Sequence, residues 1–276
     1  MPRLRAANPG ALAQRPAEGP ERAAAGNDVW GEVQPRGVAA VQGGTGGGAM
    51  KPYYEHAGVT IYHGDAREVA AWRVADVMLT DPPYGICWKQ GALKRSRSDA
   101  HDGIVGDLDT SARDEILATF GMERCAAVFG SLAIAPPNGT KQVLIFQKPP
   151  NAGTRGAFGG FRRDVEAIYL LGRWSAGLGG RSSVLRTGKR TQGNPSSDQG
   201  RYHHPHAKPV DVLAALLEAM PLGVVADPFM GSGSTLVAAK ENGRRAIGIE
   251  IEERYCEIAA RRLGQEVLFG QPEATP

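Results

Sequence analysis

Cysteine is scarce. Only Cys87, Cys125 and Cys256 occur in 276 residues, and their spacing offers neither a zinc site nor a disulfide framework. That usage fits a reducing, cytoplasmic setting. Long hydrophobic runs are missing too: none approaches the roughly 20 residues of a membrane helix. The arginines near the N-terminus are not followed by the apolar core of a signal peptide. Neither sign of charge dominates, the net charge being +3, which suits nucleic acid without demanding it. No internal repeat is visible. These absences lead us to expect a soluble intracellular protein with one large domain, or one domain plus appendages.

What is present divides at Met50. Residues 1–49 are rich in Ala, Gly, Pro and Arg and end in Gly43-Gly44-Thr45-Gly46-Gly47-Gly48. Such a segment buries too little apolar surface to offset its ordering entropy. It is expected to be a disordered tail, or an upstream translation artefact with Met50 as the true start. Residues 50–276 are expected to form the domain. From Gly58 onward, strand and helix patterns alternate. Strands are predicted over Val59–Tyr62, Ala75–Thr80, Ala126–Phe129, Gln142–Phe146, Val165–Leu171, Val224–Asp227 and Ala246–Glu250. Helices are predicted over Ser111–Arg124, capped by Ser111 or Asp109, over Pro209–Met220 with proline at its first position, and over Ser234–Asn242 and Glu253–Leu263. The alternation implies an α/β fold, a mostly parallel sheet with helices on both faces.

Two acidic–proline signatures stand out. Asp81-Pro82-Pro83-Tyr84-Gly85 follows the apolar run Val77–Thr80, and Asp227-Pro228-Phe229-Met230-Gly231-Ser232-Gly233-Ser234-Thr235 follows Gly223–Ala226. A strand delivers a carboxylate in this way to the sheet edge where ligands bind. In the second signature, Gly231 and Gly233 allow close backbone approach, and the helix behind them presents free N–H groups. No lysine precedes Ser234-Thr235, which disfavours a nucleoside-triphosphate loop. Glu250, ending the next strand, is suited to accept hydrogen bonds from a ribose diol.

Taken together, these segments resemble the DNA amino-methyltransferases that act on N6 of adenine or N4 of cytosine. The turn Asp227–Thr235 is similar to that family's S-adenosylmethionine motif, with Asp227, Pro228, Phe229, Gly231, Ser232, Gly233, Ser234 and Thr235 as cofactor-binding residues. Glu250 resembles the ribose-binding acid. His206-Ala207-Lys208-Pro209 looks like the segment beside the methionine end of the cofactor, which implies roles for His206 and Lys208. Asp65, after Gly64, resembles the acid near the adenine. Asp81, Pro82, Pro83 and Tyr84 match the catalytic motif. Because that motif precedes the cofactor motif, the order is the circularly permuted one of the β class. The resemblance runs from about Gly58 to Leu263 and implies a Rossmann-like methyltransferase fold.

The implied chemistry is specific. An exocyclic amine is a poor nucleophile because its lone pair is delocalised into the ring. Asp81 and the Pro82 carbonyl are expected to accept its hydrogens and free that lone pair, Pro82-Pro83 making the edge rigid and Tyr84 stacking on the base. The transfer then needs alignment rather than a metal. Asp rather than Ser at the first position favours adenine. Double-stranded DNA is the implied partner, with the target base flipped out. Lys89, Lys94, Arg95 and Arg97 in one loop are candidate phosphate contacts, as are Arg181, Arg186, Lys189 and Arg190 in a short recognition region over about residues 172–206. That small region suits a homodimer, and a cognate restriction endonuclease is a further partner the resemblance allows. The rival readings are the same fold acting on cytosine N4, and a non-catalytic DNA-binding subunit.

Overall fold

The computed structural model describes residues 50–86, 106–148, 161, 163–188 and 207–264. The segment 1–49 lies outside the described residues, as do His206 and the basic candidates Lys89, Lys94, Arg95, Arg97, Lys189 and Arg190. Among the described residues, nine strands form one sheet: β1 (Tyr54–His56), β2 (Val59–His63), β3 (Val77–Thr80), β4 (Ala126–Gly130), β5 (Gln142–Gln147), β6 (Val165–Leu171), β7 (Val184–Arg186), β8 (Val225–Asp227) and β9 (Ala246–Glu250). Their order across the sheet is β1-β2-β9-β8-β3-β4-β6-β5-β7. The centre is parallel from β2 through β9, β8 and β3 to β4. Strand β1 is antiparallel at one side, and β6 is antiparallel to both β4 and β5 at the other.

Four helices pack on this sheet among the described residues: α1 (Ser111–Phe120), α2 (Val210–Ala219), α3 (Ser234–Glu241) and α4 (Glu253–Gly264). Alternate side chains of the central strands serve opposite faces. Val77 and Leu79 join Leu213, Leu216, Leu236 and Ala259 of α2, α3 and α4 in one core. Met78 joins Ile116 and Phe120 of α1, and Trp72 of a short 3-10 turn, in the other. Burial on both faces explains why these strands read as continuous apolar runs rather than alternating ones. No helix among the described residues is long and apolar enough to cross a membrane.

Several expected boundaries move. Helix α1 ends at Phe120 rather than Arg124, because Gly121 turns to φ 94°. Arg124 instead donates to carbonyls of Phe120, Arg73 and Ala75. The N-cap is Thr110, whose side chain makes no capping bond; Asp109 Oδ1 accepts from the Ser111 amide at 2.9 Å. Pro209 is not the first helical residue but the extended residue before it, with ψ 129°. Ala75 closes the 3-10 turn by donating to Trp72 O, so β3 starts two residues later.

Candidate functional site

The permuted order of the two signatures becomes spatial proximity because β3 and β8 are neighbours, with Met78 paired to Ala226. Asp81 leaves the end of β3 and Asp227 ends β8, so both arrive at the same edge. There the Thr80 hydroxyl donates to Asp227 Oδ1 at 2.7 Å. Gly64-Asp65 after β2 and Glu250 at the end of β9 reach that edge as well, since His63 pairs with Glu250. A cavity of about 350 Å3 opens there, and Asp65, Asp81, Tyr84, Lys208, Asp227 and Glu250 all line it.

The glycine turn forms one wall. Glu250 is buried, and its Oε2 accepts from the Gly231 amide at 2.9 Å while Oε1 accepts from the Glu252 amide at 2.8 Å. Burial lifts its carboxyl to about 7. Burial likewise lifts Asp227 to about 6, against the hydrogen bonds from Thr80 and Thr235. Pro228, Phe229, Gly231, Ser232, Ser234 and Thr235 all reach the cavity. Gly233 does not line it: with φ +80°, it is the N-cap of α3, and a Cβ there would meet the Ala259 Cβ at 2.8 Å. Its place in the motif serves packing of α3 on α4. Arg262, reaching in from α4, donates to the Ser232 carbonyl at 2.6 Å and holds the loop from behind.

The Asp81 side is a closed charge network. Lys208 Nζ donates to Asp81 Oδ2 at 2.6 Å and stands 3.2 Å from Glu166 Oε2. The Tyr84 hydroxyl donates to Asp81 Oδ1 at 2.8 Å, with Glu166 Oε2 3.4 Å away. Lys148 Nζ pairs with Glu166 Oε1 at 2.6 Å. Burial lifts the Asp81 carboxyl above its ordinary range; Lys208 draws it down and Glu166 adds to the lift. Burial also opposes ionisation of Glu166, yet Lys208 and Lys148 outweigh it and hold that carboxyl at about 2. The Lys208 ammonium lies 5.5 Å from the centre of the Tyr84 ring and 5.1 Å from that of Phe129, so the cation is packed against aromatic faces as well as between two acids. Pro82 and Pro83 complete the wall beside Tyr84. Chemically, this is a set of acceptors beside a flat ring, lining one cavity with a buried carboxylate able to accept from a diol.

Sequence reading missed Glu166, Lys148, Arg67 and Arg262. Arg67 clamps Asp65 through Nε and Nη2 at 3.0 and 2.5 Å, and these hydrogen bonds hold the Asp65 carboxyl below its ordinary range. One signal was available for Glu166: it is the single charged residue in the strand Val165–Leu171. The basic candidates that are described lie elsewhere. Arg181 stands 3.7 Å from Glu218, and Arg186 donates to Gln147 Oε1 at 2.6 Å. Phe161 is fully exposed, whereas Trp174 packs against the core and donates to Leu171 O.

Comparison with known proteins gives this arrangement a context. The family profile described as DNA methylase, for N6 and N4 methyltransferases, matches residues 125–261. The chain is 30% identical over 199 residues to the Escherichia coli protein YubD, named as a methylase, covering 68% of this chain and 81% of YubD. It is 25% identical over 269 residues to the type II methyltransferase M.ScaI of Streptomyces caespitosus, covering 78% of this chain and 84% of that one. Among solved structures, a complex of M1.HpyAVI with SAM aligns with a TM-score of 0.53 at 22% identity, over 75% of this chain and all of that one. The cytosine-N4-specific PvuII DNA methyltransferase aligns with a TM-score of 0.56 at 13% identity, over 80% of this chain and 91% of that one. At those identities the structural likeness speaks to the fold.

Proposed function

The chain belongs to the N6/N4 DNA methylase family, and from that premise we propose that it transfers the methyl group of S-adenosylmethionine to N6 of adenine in duplex DNA, acting on a base flipped out of the helix. The observation that carries this reading is that Asp81 and Tyr84 line one cavity together with Asp227, Gly231, Ser232, Ser234, Thr235 and Glu250.

The cofactor fits the residues present. Glu250 is a buried acid whose two oxygens each take one backbone N–H, leaving acceptor capacity for a ribose diol. Gly231, Ser232 and Ser234 bring backbone and small side chains to the same cavity. Asp65, fixed by Arg67, is a second acceptor lining the same cavity. When bound, S-adenosylmethionine supplies an electrophilic methyl on a sulfonium.

The chain's own part is to hold the nucleophile. Asp81 and the Pro82 carbonyl accept the two amine hydrogens, which localises the nitrogen lone pair for an in-line displacement. The amine gains the methyl group and gives up one proton, for which the Asp81 carboxylate is the first acceptor at hand. Tyr84 forms the wall on which the base rests. Asp at position 81 favours adenine, in keeping with the sequence resemblance. A base buried in a duplex cannot reach such a cavity without leaving the stack.

The full chain, incubated with methyl-tritiated S-adenosylmethionine and unmethylated duplex DNA, should label the DNA. Asp81→Asn should bind the cofactor normally by calorimetry while losing labelling by at least about a hundredfold. Equal labelling by that variant would contradict the role given to Asp81.

A further inference from the structure

We propose that Glu166 is a positioning residue for methyl transfer, holding Lys208 and giving the Tyr84 hydroxyl a second acceptor so that Asp81 can receive the amine. This rests on the reading of Asp81 as the amine's acceptor.

Topology explains how an acid 85 residues along the chain from Asp81 comes to the same edge. Strand β4 runs parallel to β3, and β6 runs antiparallel to β4. The start of β6 therefore lies where β3 and β4 end, and Glu166 is the second residue of β6. Strand β5 is antiparallel to β6 and pairs Phe146 with Glu166. Its end delivers Lys148 to the same place.

The geometry gives each Glu166 oxygen a separate task. Oε1 takes Lys148 at 2.6 Å. Oε2 faces two groups that also touch Asp81: Lys208 Nζ at 3.2 Å and the Tyr84 hydroxyl at 3.4 Å. Shared between two acids, Lys208 approaches Asp81 through Oδ2 alone. The Tyr84 hydroxyl occupies Oδ1. That is the oxygen an incoming amine would need. A phenol has one proton to donate, and Glu166 offers it a place to go when the amine takes Oδ1. The network holds two carboxylates and two ammonium groups, so a neutral base enters without unbalanced charge. With Glu166 neutral, Lys208 would have Asp81 as its sole anion and would compete with the amine for it. Burying an ion pair of this kind contributes little to stability by itself, which leaves alignment as what it supplies.

The test compares wild type, Glu166→Gln and the double variant Glu166→Gln with Lys148→Met, all in the full chain, under steady-state methylation of duplex DNA. The double variant restores charge balance, and so remains informative if the single variant folds poorly. Glu166→Gln is expected to lower kcat by about ten- to a hundredfold while cofactor affinity and the KM for DNA change by less than about threefold. The double variant should stay slow, because Lys208 still has Asp81 as its sole anion and the amide oxygen is a weaker acceptor than the carboxylate it replaces. In a 15N-labelled sample, the slowly exchanging Nζ signal of Lys208 should be visible in the wild type and lost in Glu166→Gln. An unchanged kcat, recovery of the wild-type rate in the double variant, or a loss of cofactor affinity matching the loss of kcat would each overturn the proposal. A wild type that methylates nothing would instead overturn the reading of Asp81 beneath it.

Discussion

At the scale of single residues, burial decides the behaviour of Glu250. Its folded carboxyl titrates near 7 because desolvation disfavours the charged form. A ribose diol donates two hydrogen bonds, and the ionised carboxylate is the better acceptor. Binding therefore favours loss of the proton, and cofactor affinity should rise as the pH climbs through about 7. Calorimetry from pH 6 to 8 should show this rise with proton release, and Glu250→Gln should flatten it; an equal pH dependence in the variant would contradict the assignment. Linkage gives the opposite sign for the ligand-free fold. With the folded value raised, the contribution of Glu250 to stability is full below its ordinary carboxylate range and is lost as the pH rises through about 7. Truncation to Glu250→Ala should weaken cofactor binding by about ten- to a hundredfold, the scale of losing hydrogen bonds to a charged group.

At the scale of elements, packing of strand and helix around the glycine turn sets the precision of the site. Gly233 has φ +80° and no space for a Cβ against Ala259. Gly248 in β9 is equally tight, since a Cβ there would lie 2.6 Å from Met230 Sδ and 2.7 Å from Leu236 Cδ1. Gly233→Ala should destabilise the fold by about 1–3 kcal/mol, read as a lower denaturant midpoint; no change would show that the turn relaxes freely. The central strands were legible in sequence because each is an apolar run buried on both faces, and Val165–Leu171 and Ala246–Glu250 have the bounds their patterns predict. Strands β1 and β7, of three residues each, are too short to show a period. Local pattern also identified Asp81, Asp227 and Glu250, whose strands deliver them directly. It could not identify Glu166 or Lys148 as members of the site, because their meeting with Asp81 depends on the antiparallel register of β6 against β4 and β5. Arg67 was missed for a different reason: its role lies in a bidentate grip on Asp65, which no spacing announces.

At the scale of the whole molecule, two cores lock one sheet, and the site lies along the edge where its central strands end. Cofactor binding should therefore be felt globally. At a concentration about 100 times Kd, it should add about 2.7 kcal/mol and raise the melting temperature by about 5–10 °C, a shift that Glu250→Ala should cut by about half or more at the same concentration. A wild-type melting temperature indifferent to S-adenosylmethionine would argue against the cofactor assignment. The most direct test of the account is to incubate the full chain with S-adenosylmethionine and unmethylated genomic DNA, digest the DNA, and quantify its nucleosides by mass spectrometry. The account predicts N6-methyladenine; N4-methylcytosine in its place would contradict the base assignment, and an absence of both would contradict methylation of DNA itself.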